Sequence, residues 1–343
     1  MHYIRAVQMA SIGEVAALAQ VSVATVSRVL NNSPKVKEET RQVVMAAIEE
    51  LHYVPNMLGI GLRRRQSGVV IVQLTTISNI LYASMVDGVA ACAAKYGYRI
   101  LLASTEGILQ RELDFYDMAR LKLAEGVLTL TTTASVNDIN RYAAEVPIVR
   151  CCRHPDGANT PMVLTNDEQS AYEMVRYLLG LGHRNIAFMG IRSSYELVSL
   201  DREKGYRRAM EEAGVPVPDG WMVYSGYDFS AGLSESAALI SRHPELDAIF
   251  CSTDIMAFNT IKSLKEMGLC VPEDVSVTGY DDSPFAVMSS PQITSVNQNS
   301  YEIGYRAMER LCLKISNPQM EDDVQFVSHK LSVRGSTAIN TKR

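Results

Sequence analysis

The residues best suited to chemistry lie near the start of the chain, in the run Val21-Ser22-Val23-Ala24-Thr25-Val26-Ser27-Arg28-Val29-Leu30-Asn31. Val26 and Val29, with Val15, Leu18 and Val21 before them, give two short helices a common apolar face. The opposite face carries Val23 and Ala24, small enough to meet base edges or thymine methyls, and Arg28, whose fork can read guanine or hold a phosphate. Ser22, Thr25 and Ser27 are short donors suited to phosphates, and a helix N-terminus adds N–H groups that favour an anion. Two helices joined by a tight turn are one way to place a short helix in the major groove. Charge agrees with that use. Residues 1–66 hold eight Lys/Arg against five Glu, a net of +3, while the remainder holds 25 basic and 33 acidic groups, a net of −8. Only the head suits a polyanion. These residue types alone leave a plain helical packing domain as the competing reading.

No comparable constellation points to catalysis. The sequence has no G-x-S-x-G elbow, no G-x-x-x-x-G-K-[S/T] phosphate loop, no H-E-x-x-H and no G-x-G-x-x-G. The six histidines (His2, His52, His154, His183, His243, His329) never pair at ligand spacing, and no C-x-x-C exists, so neither a metal site nor a cofactor is expected. His183 reads as part of a structural turn. The six cysteines are scattered and read as small buried hydrophobes in a reducing cytoplasm. No stretch of 18 uncharged apolar residues exists to cross a membrane, and Glu14 interrupts the only leader-like segment.

The elements that must position the candidate residues follow from capping and periodicity. Ser11 with Glu14 makes a capping box for a first helix, Ser22 caps a second from Val23 to Leu30, and Asn31-Asn32-Ser33-Pro34 ends it. Thr40 to Leu51 reads as a third helix, with Val43, Val44, Ala47, Ile48 and Leu51 on its apolar side. From Gly68 the period changes. Runs such as Val69-Leu74, Arg99-Ala103, Gly126-Leu130, Pro147-Cys151, Asn185-Met189, Ala248-Cys251 and Val275-Gly279 alternate with helix-length segments, which predicts parallel sheets covered by helices. With 343 residues, 47% apolar and 21% charged, the chain is long enough for two or three domains, and its composition excludes wholesale disorder and collagen-like repeats. Some seven βα units exceed one comfortable sheet. Two similar lobes with a ligand cleft beyond the carboxyl ends of their strands are expected.

Residues 12–62 resemble the DNA-binding head of the lactose-repressor family of bacterial transcription regulators. Val21-Ser22, Thr25 through Asn31, Thr40-Arg41, Ala47, Leu51, Tyr53 and Pro55-Asn56 fall in register with its pattern. The match continues through Asp87-Gly88, Gly126-Val127, Leu181-Gly182-His183-Arg184, Arg202 with Gly205-Tyr206, Asp254 with Met256-Ala257, Val271 to Ser276, Gly279 to Asp282 and Arg334 to Thr337, about 95% of the chain. The resemblance implies an all-helical helix-turn-helix head on a two-lobed, periplasmic-binding-protein-like α/β core of parallel sheets. It divides the chain into an N-terminal arm (1–10), head (11–56), hinge helix (57–66), core (67–333) and C-terminal tail (334–343). It also implies a homodimer or tetramer on a roughly palindromic double-stranded operator, with no membrane partner. Asn31 and Tyr53 join the DNA-facing set, and Leu62 matches the leucine that wedges between base steps in the minor groove.

In the core the resemblance assigns a small effector, most often a sugar, to polar residues of both lobes. Arg202, Asp281 and Gln298 match cleft positions. Thr253 stands where many members have asparagine, and Cys152 where many have aspartate, so this cleft has one acceptor fewer. Tyr82 and Tyr280 are candidates to flank a ring, one of them with the core as its alternative. Gln20 replaces the usual turn glycine, and Gly59 and Gly61 weaken the hinge by about 1 kcal/mol each. The function expected is a cytoplasmic, nucleoid-associated DNA-binding regulator, a repressor, controlled by a cleft-bound effector and not an enzyme. A soluble sensor module without operator binding is the rival.

Overall fold

A computed structural model describes residues 10–53, 67–151, 157–192, 198–226 and 230–341. The chain separates into two compact units, Met1–Ser67 and Gly68–Arg343. Among the described residues no single helix is long and apolar enough to cross a membrane.

Among its described residues the first unit has three helices, α1 (Ile12–Leu18), α2 (Val23–Leu30) and α3 (Glu38–Glu50). The Ser11 hydroxyl accepts from the Glu14 N–H at 3.3 Å, and the Glu14 carboxylate accepts from the Ser11 N–H at 2.6 Å, completing the expected capping box. The chain turns by 104° between α1 and α2. Gln20 makes that turn with φ at +53°, in the left-handed region where glycine would sit without strain. Val15, Ala16, Ala19, Val26, Val29, Val44 and Ala47 form the core. Two expected core residues are outside it. Leu18 is 43% exposed, because the buried face of α1 is centred on Val15, Ala16 and Ala19, and at 100° per residue Leu18 lies about a quarter turn away. Val43 is exposed for the same reason on α3, whose face is set by Val44 and Ala47. Helix α3 also starts two residues earlier than its apolar pattern suggested, where Glu38 and Glu39 suit a helix N-terminus.

The second unit holds two six-stranded sheets. The first lobe contains β1 (Val69–Leu74), β2 (Arg99–Ser104), β3 (Val127–Thr129), β4 (Ile148–Arg150), β5 (Met162–Thr165) and β11 (Val324–Val327), all parallel, in the order β11-β5-β4-β3-β1-β2. The second contains β6 (Ile186–Ile191), β7 (Met222–Ser225), β8 (Ala248–Cys251), β9 (Ser276–Tyr280), β10 (Thr294–Asn297) and β12 (Lys330–Ser332), ordered β12-β10-β9-β8-β6-β7. Only β12 runs antiparallel to its neighbour. The chain therefore passes between lobes after β5, after β10 and after β11. Helices α4 (Ile80–Lys95), α5 (Leu109–Arg120) and α6 (Val136–Ala143) cover the first sheet, joined by α12 (Ser300–Ser316). Around the second lie α7 (Asp167–Gly180), α8 (Val198–Glu212), α9 (Leu233–Arg242), α10 (Asp254–Glu266) and α11 (Pro284–Met288).

Each lobe has one helix crossing too close for a side chain. A Cβ on Gly88 of α4 would meet the Tyr301 carbonyl at 2.0 Å, and one on Gly304 of α12 would meet the Met85 carbonyl at 2.0 Å. In the second lobe a Cβ on Gly205 of α8 would sit 2.2 Å from the Glu168 carbonyl of α7. The segment expected as a C-terminal tail is built into the second lobe: the buried Ser336 hydroxyl donates to the Val277 carbonyl at 2.5 Å, and the Asn340 N–H donates to the Leu181 carbonyl at 2.8 Å. His183 is structural as expected. Its ring bridges Asp247 at 3.0 Å and the Ala338 carbonyl at 3.1 Å.

Candidate functional site

The head presents one coherent face. Ser22 caps α2, its hydroxyl accepting from the Thr25 N–H at 3.2 Å and lying 2.9 Å from the Thr25 hydroxyl. Because Val26 and Val29 are buried, helical periodicity turns Ser22, Val23, Ala24, Arg28 and Asn31 outward, while Thr25 and Ser27 are half-buried. The Asn31 amide donates to the Ser27 carbonyl at 2.7 Å and so closes the helix end. Tyr53 packs against the head core. Leu62 lies outside the described residues. Arg41, not singled out for a role in the sequence, secures the far end of α2. Its guanidinium donates to the carbonyls of Val29 at 3.4 Å and Ser33 at 3.0 Å and to the Asn32 side chain at 3.2 Å, satisfying acceptors where a cation is favoured. This is a rigid helix with its N-terminus and one arginine offered to a polyanion.

In the second unit a cleft of about 290 Å³ opens between the lobes. Thr76, Ser78, Asn79 and Ile80 line it from the first lobe, and Ile191, Ala231, Thr253, Ile255, Asp281, Ser283 and Phe285 from the second. It adjoins a hollow of about 170 Å³ that shares Ile80, Asp281 and Ser283 with it. The lining residues follow the carboxyl ends of β1, β6, β8 and β9, where open α/β sheets place ligands.

Asp281 leaves β9 with φ at +106°, followed by Asp282 at +52°. This unusual path is held from three sides. The Asp281 N–H donates to the Val296 carbonyl at 2.9 Å and the Asp282 N–H to the Ser295 hydroxyl at 3.0 Å. The Ser283 N–H donates to Asp254 at 2.6 Å. The Asp282 carboxylate accepts from Arg334 at 2.6 Å and from Asn297 and Ser332 at 2.8 Å. Burial alone would raise Asp282, but Asn297, Arg334 and Ser332 hold it below the ordinary carboxylate value. Asp254 behaves oppositely. Full burial pushes its carboxyl up to about 7, against the pull of the Ser295 hydroxyl and the Ser283 N–H, and with Asp282 nearby adding to the rise.

Behind the loop, Arg202 stacks 3.5 Å from the centre of the Tyr280 ring. Its Nε–H donates to Asp167 at 2.8 Å and its Nη1 to the Ser252 carbonyl at 2.5 Å, with Asp281 at 3.6 Å. Burial works against the guanidinium's charge, but Asp167, Tyr280 and Asp281 outweigh it and hold Arg202 protonated. The buried Gln298 side-chain amide donates to Asp281 at 2.8 Å, and the main-chain carbonyl of Gln298 accepts from the Thr165 hydroxyl of the first lobe at 3.0 Å. The structure thus brings Arg202, Asp281 and Gln298 together. Among the described residues of the expected set, Asp281 and Thr253 line the cleft itself; Thr253 also caps α10, accepting from the Met256 N–H at 3.4 Å. Tyr82 is in the first lobe's core, its hydroxyl paired with Thr131 and 3.4 Å from Thr75, and Tyr280 is buried under Arg202 with its hydroxyl 2.6 Å from Ser170. Their rings pack inward instead of flanking the cleft. Cys152 lies outside the described residues. Among those residues no cluster could hold a metal ion.

Asp167, Asp254, Ser283 and Arg334 were missed as site residues. Asp167 follows a four-residue strand too short to stand out in the sequence, and its partner is 35 positions away.

Comparison with known proteins finds matches to both the head and the core. The description "bacterial regulatory proteins, lacI family" matches residues 11–56, and "periplasmic binding protein-like domain" matches 175–337. Catabolite control protein A of Priestia megaterium is 33% identical over 95% of this chain and 99% of its own. The HTH-type transcriptional repressor PurR of Vibrio parahaemolyticus is 29% identical over 96% of this chain and 98% of its own. A solved complex of the transcriptional regulator CelR with cellobiose superposes with a TM-score of 0.72 at 28% identity, over 95% of this chain and 99% of that one. A helical reading head joined to a two-lobed ligand-binding core defines a ligand-responsive DNA-binding protein. The chain belongs to the lacI family of bacterial regulatory proteins. It is a DNA-binding transcriptional repressor with an effector-binding core. Regulators of this family bind operator DNA and small effectors and act as dimers.

Proposed function

We propose that this repressor, in the cytoplasm, reads a roughly palindromic operator through Ser22, Val23, Ala24, Thr25, Ser27, Arg28 and Asn31, with Tyr53 supporting the head and Leu62 entering the minor groove. A small hydroxylated metabolite, a sugar or a relative of one, binds between the lobes. Asp281 and Thr253 meet its hydroxyls, Arg202 and Gln298 hold Asp281 from behind, and Cys152, where many members have aspartate, leaves the ligand one acceptor fewer. The observation that carries this reading is the Asp281 carboxylate, held at a left-handed backbone position where it lines the cleft. Such an arrangement suits a hydroxyl-donating ligand. The cellobiose bound to the neighbour CelR supports the same class. Lobe movement on binding changes the spacing of the two heads and hence operator affinity.

The dimer forms on the first lobe. Edge strand β2 exposes Leu101 and Leu102, and Leu121 and Leu123 lie exposed nearby in the chain. An open apolar edge invites strand pairing or aggregation unless a partner covers it; a second copy satisfies the two-fold symmetry of a palindrome. The test is selection from random duplexes by the full chain. An enriched palindrome is expected, with affinity falling steeply as salt rises. Arg28→Ala should then cost about 1–3 kcal/mol of specific binding. No enrichment at low salt would favour a sensor module without operator binding.

A further inference from the structure

Arg202, which lies behind the cleft-lining Asp281, is already committed. Asp167 takes the Arg202 Nε–H at 2.8 Å, the Ser252 carbonyl takes Nη1, Asp281 lies 3.6 Å from Nη1, and Tyr280 covers one face of the guanidinium. No Lys, Arg or His is among the described residues lining the cleft or its adjoining hollow, whereas Asp281 and Asp282 are. Arg202 would otherwise be a natural clamp for a carboxylate or phosphate, because its planar fork matches either anion. Asp167 occupies that role from inside the protein.

We propose that Asp167 is a specificity-determining residue: by engaging Arg202 it restricts the cleft to uncharged, hydroxyl-bearing effectors and excludes their carboxylate and phosphate counterparts. This rests on the cleft being the effector site. Asp167 opens α7 directly after the chain leaves β5, and the contact between α7 and Gly205 of α8 brings Arg202 within its reach. An anionic ligand would face Asp281 while the Arg202 guanidinium stays engaged with Asp167.

The experiment is calorimetric titration of the full chain with matched pairs of a neutral sugar and its acid or phosphate: cellobiose with cellobionate, glucose with glucuronate and with glucose 6-phosphate, ribose with ribose 5-phosphate. At least one neutral member should bind wild type, with its anionic counterpart at least tenfold weaker. Asp167→Asn should narrow that gap at least tenfold by releasing Arg202. Asp281→Asn is the second variant, and keeps the test open if Asp167→Asn fails to fold. It should weaken the neutral sugar while still excluding the anion. Equal binding of both members by wild type overturns the proposal and leaves the cleft reading intact. Admission of the anion by Asp281→Asn assigns exclusion to Asp281 and also overturns it. If no pair member binds wild type, the cleft reading itself fails, and the proposal with it.

Discussion

The two lobes share a six-stranded, mainly parallel sheet and a glycine-mediated helix crossing, yet they place their buried polar groups differently. In the first lobe the buried Glu112 carboxylate accepts from the Tyr116 hydroxyl at 3.1 Å, the Thr133 N–H at 2.8 Å, the Thr133 hydroxyl at 2.9 Å and the Thr132 hydroxyl. Gln73 and Thr129 extend this network, and none of its members lines the cleft. In the second lobe the corresponding charges stand around residues 281–283 and reach the cleft through Asp281 and Ser283. A shared topology therefore does not divide the chemistry equally. In the function proposed above, the first lobe supplies a wall and an apolar edge, and the second carries most of the groups that would read the ligand.

The largest effects should come from the crossings. Gly304→Ala and Gly205→Ala each force a methyl into a backbone carbonyl, and each should cost about 1–3 kcal/mol in stability. Thermal unfolding measures this loss in both. Only Gly205→Ala should also change effector affinity, because it parts the helices that carry Asp167 and Arg202. Equal changes in affinity would erase the distinction between the lobes.

A second pair sharpens it. Arg334→Ala removes a half-buried charge-assisted pair with Asp282 and a 2.8 Å bond to the Ile293 carbonyl, for about 2 kcal/mol. Effector binding should weaken as well, since the loop presenting Asp281 loses its anchor. Glu112→Gln should destabilise the protein comparably and leave effector affinity within twofold. Denaturation and calorimetry on the same two variants decide the matter.

The smallest effect is in pH. Asp254 has its folded value pushed up to about 7, against an unfolded value near 4. Between these values the folded state binds the extra proton, so the group favours folding below about 4, and that contribution is lost as pH rises through about 7. Stability should fall by about 1 kcal/mol from pH 6 to 8, within the limit of about 1.4 kcal/mol per unit for one proton. Asp254→Asn should flatten that slope. An unchanged slope would assign the dependence to other groups.

What the sequence made legible was local. Ser11 with Glu14 and Ser22 with Thr25 lie three residues apart, within reach of one helical turn, and the structure forms both caps. Most of the expected runs became strands buried on both sheet faces, β2 at the sheet edge being largely exposed. The strands Met162–Thr165 and Thr294–Asn297 were not expected, although the equally short Ala248–Cys251 was. Leu18 and Tyr82 show a second limit: residue type gave their apolar character but not the direction each faces. Asp281 and Arg202 came from family resemblance. Asp167 and Arg334 depend on partners brought near by chain crossovers, which no local pattern encodes.

The central claim is that occupation of the cleft controls the grip on DNA. Its most direct test measures affinity of the full chain for its enriched palindrome, with and without a sugar shown by calorimetry to bind. Wild type and Asp281→Ala should hold the free operator equally. At saturating sugar, wild type should shift by at least fivefold, within the range typical of coupled sites, and the variant should not shift at that concentration. An equal shift in both proteins, or none in wild type with the sugar bound, would contradict the account.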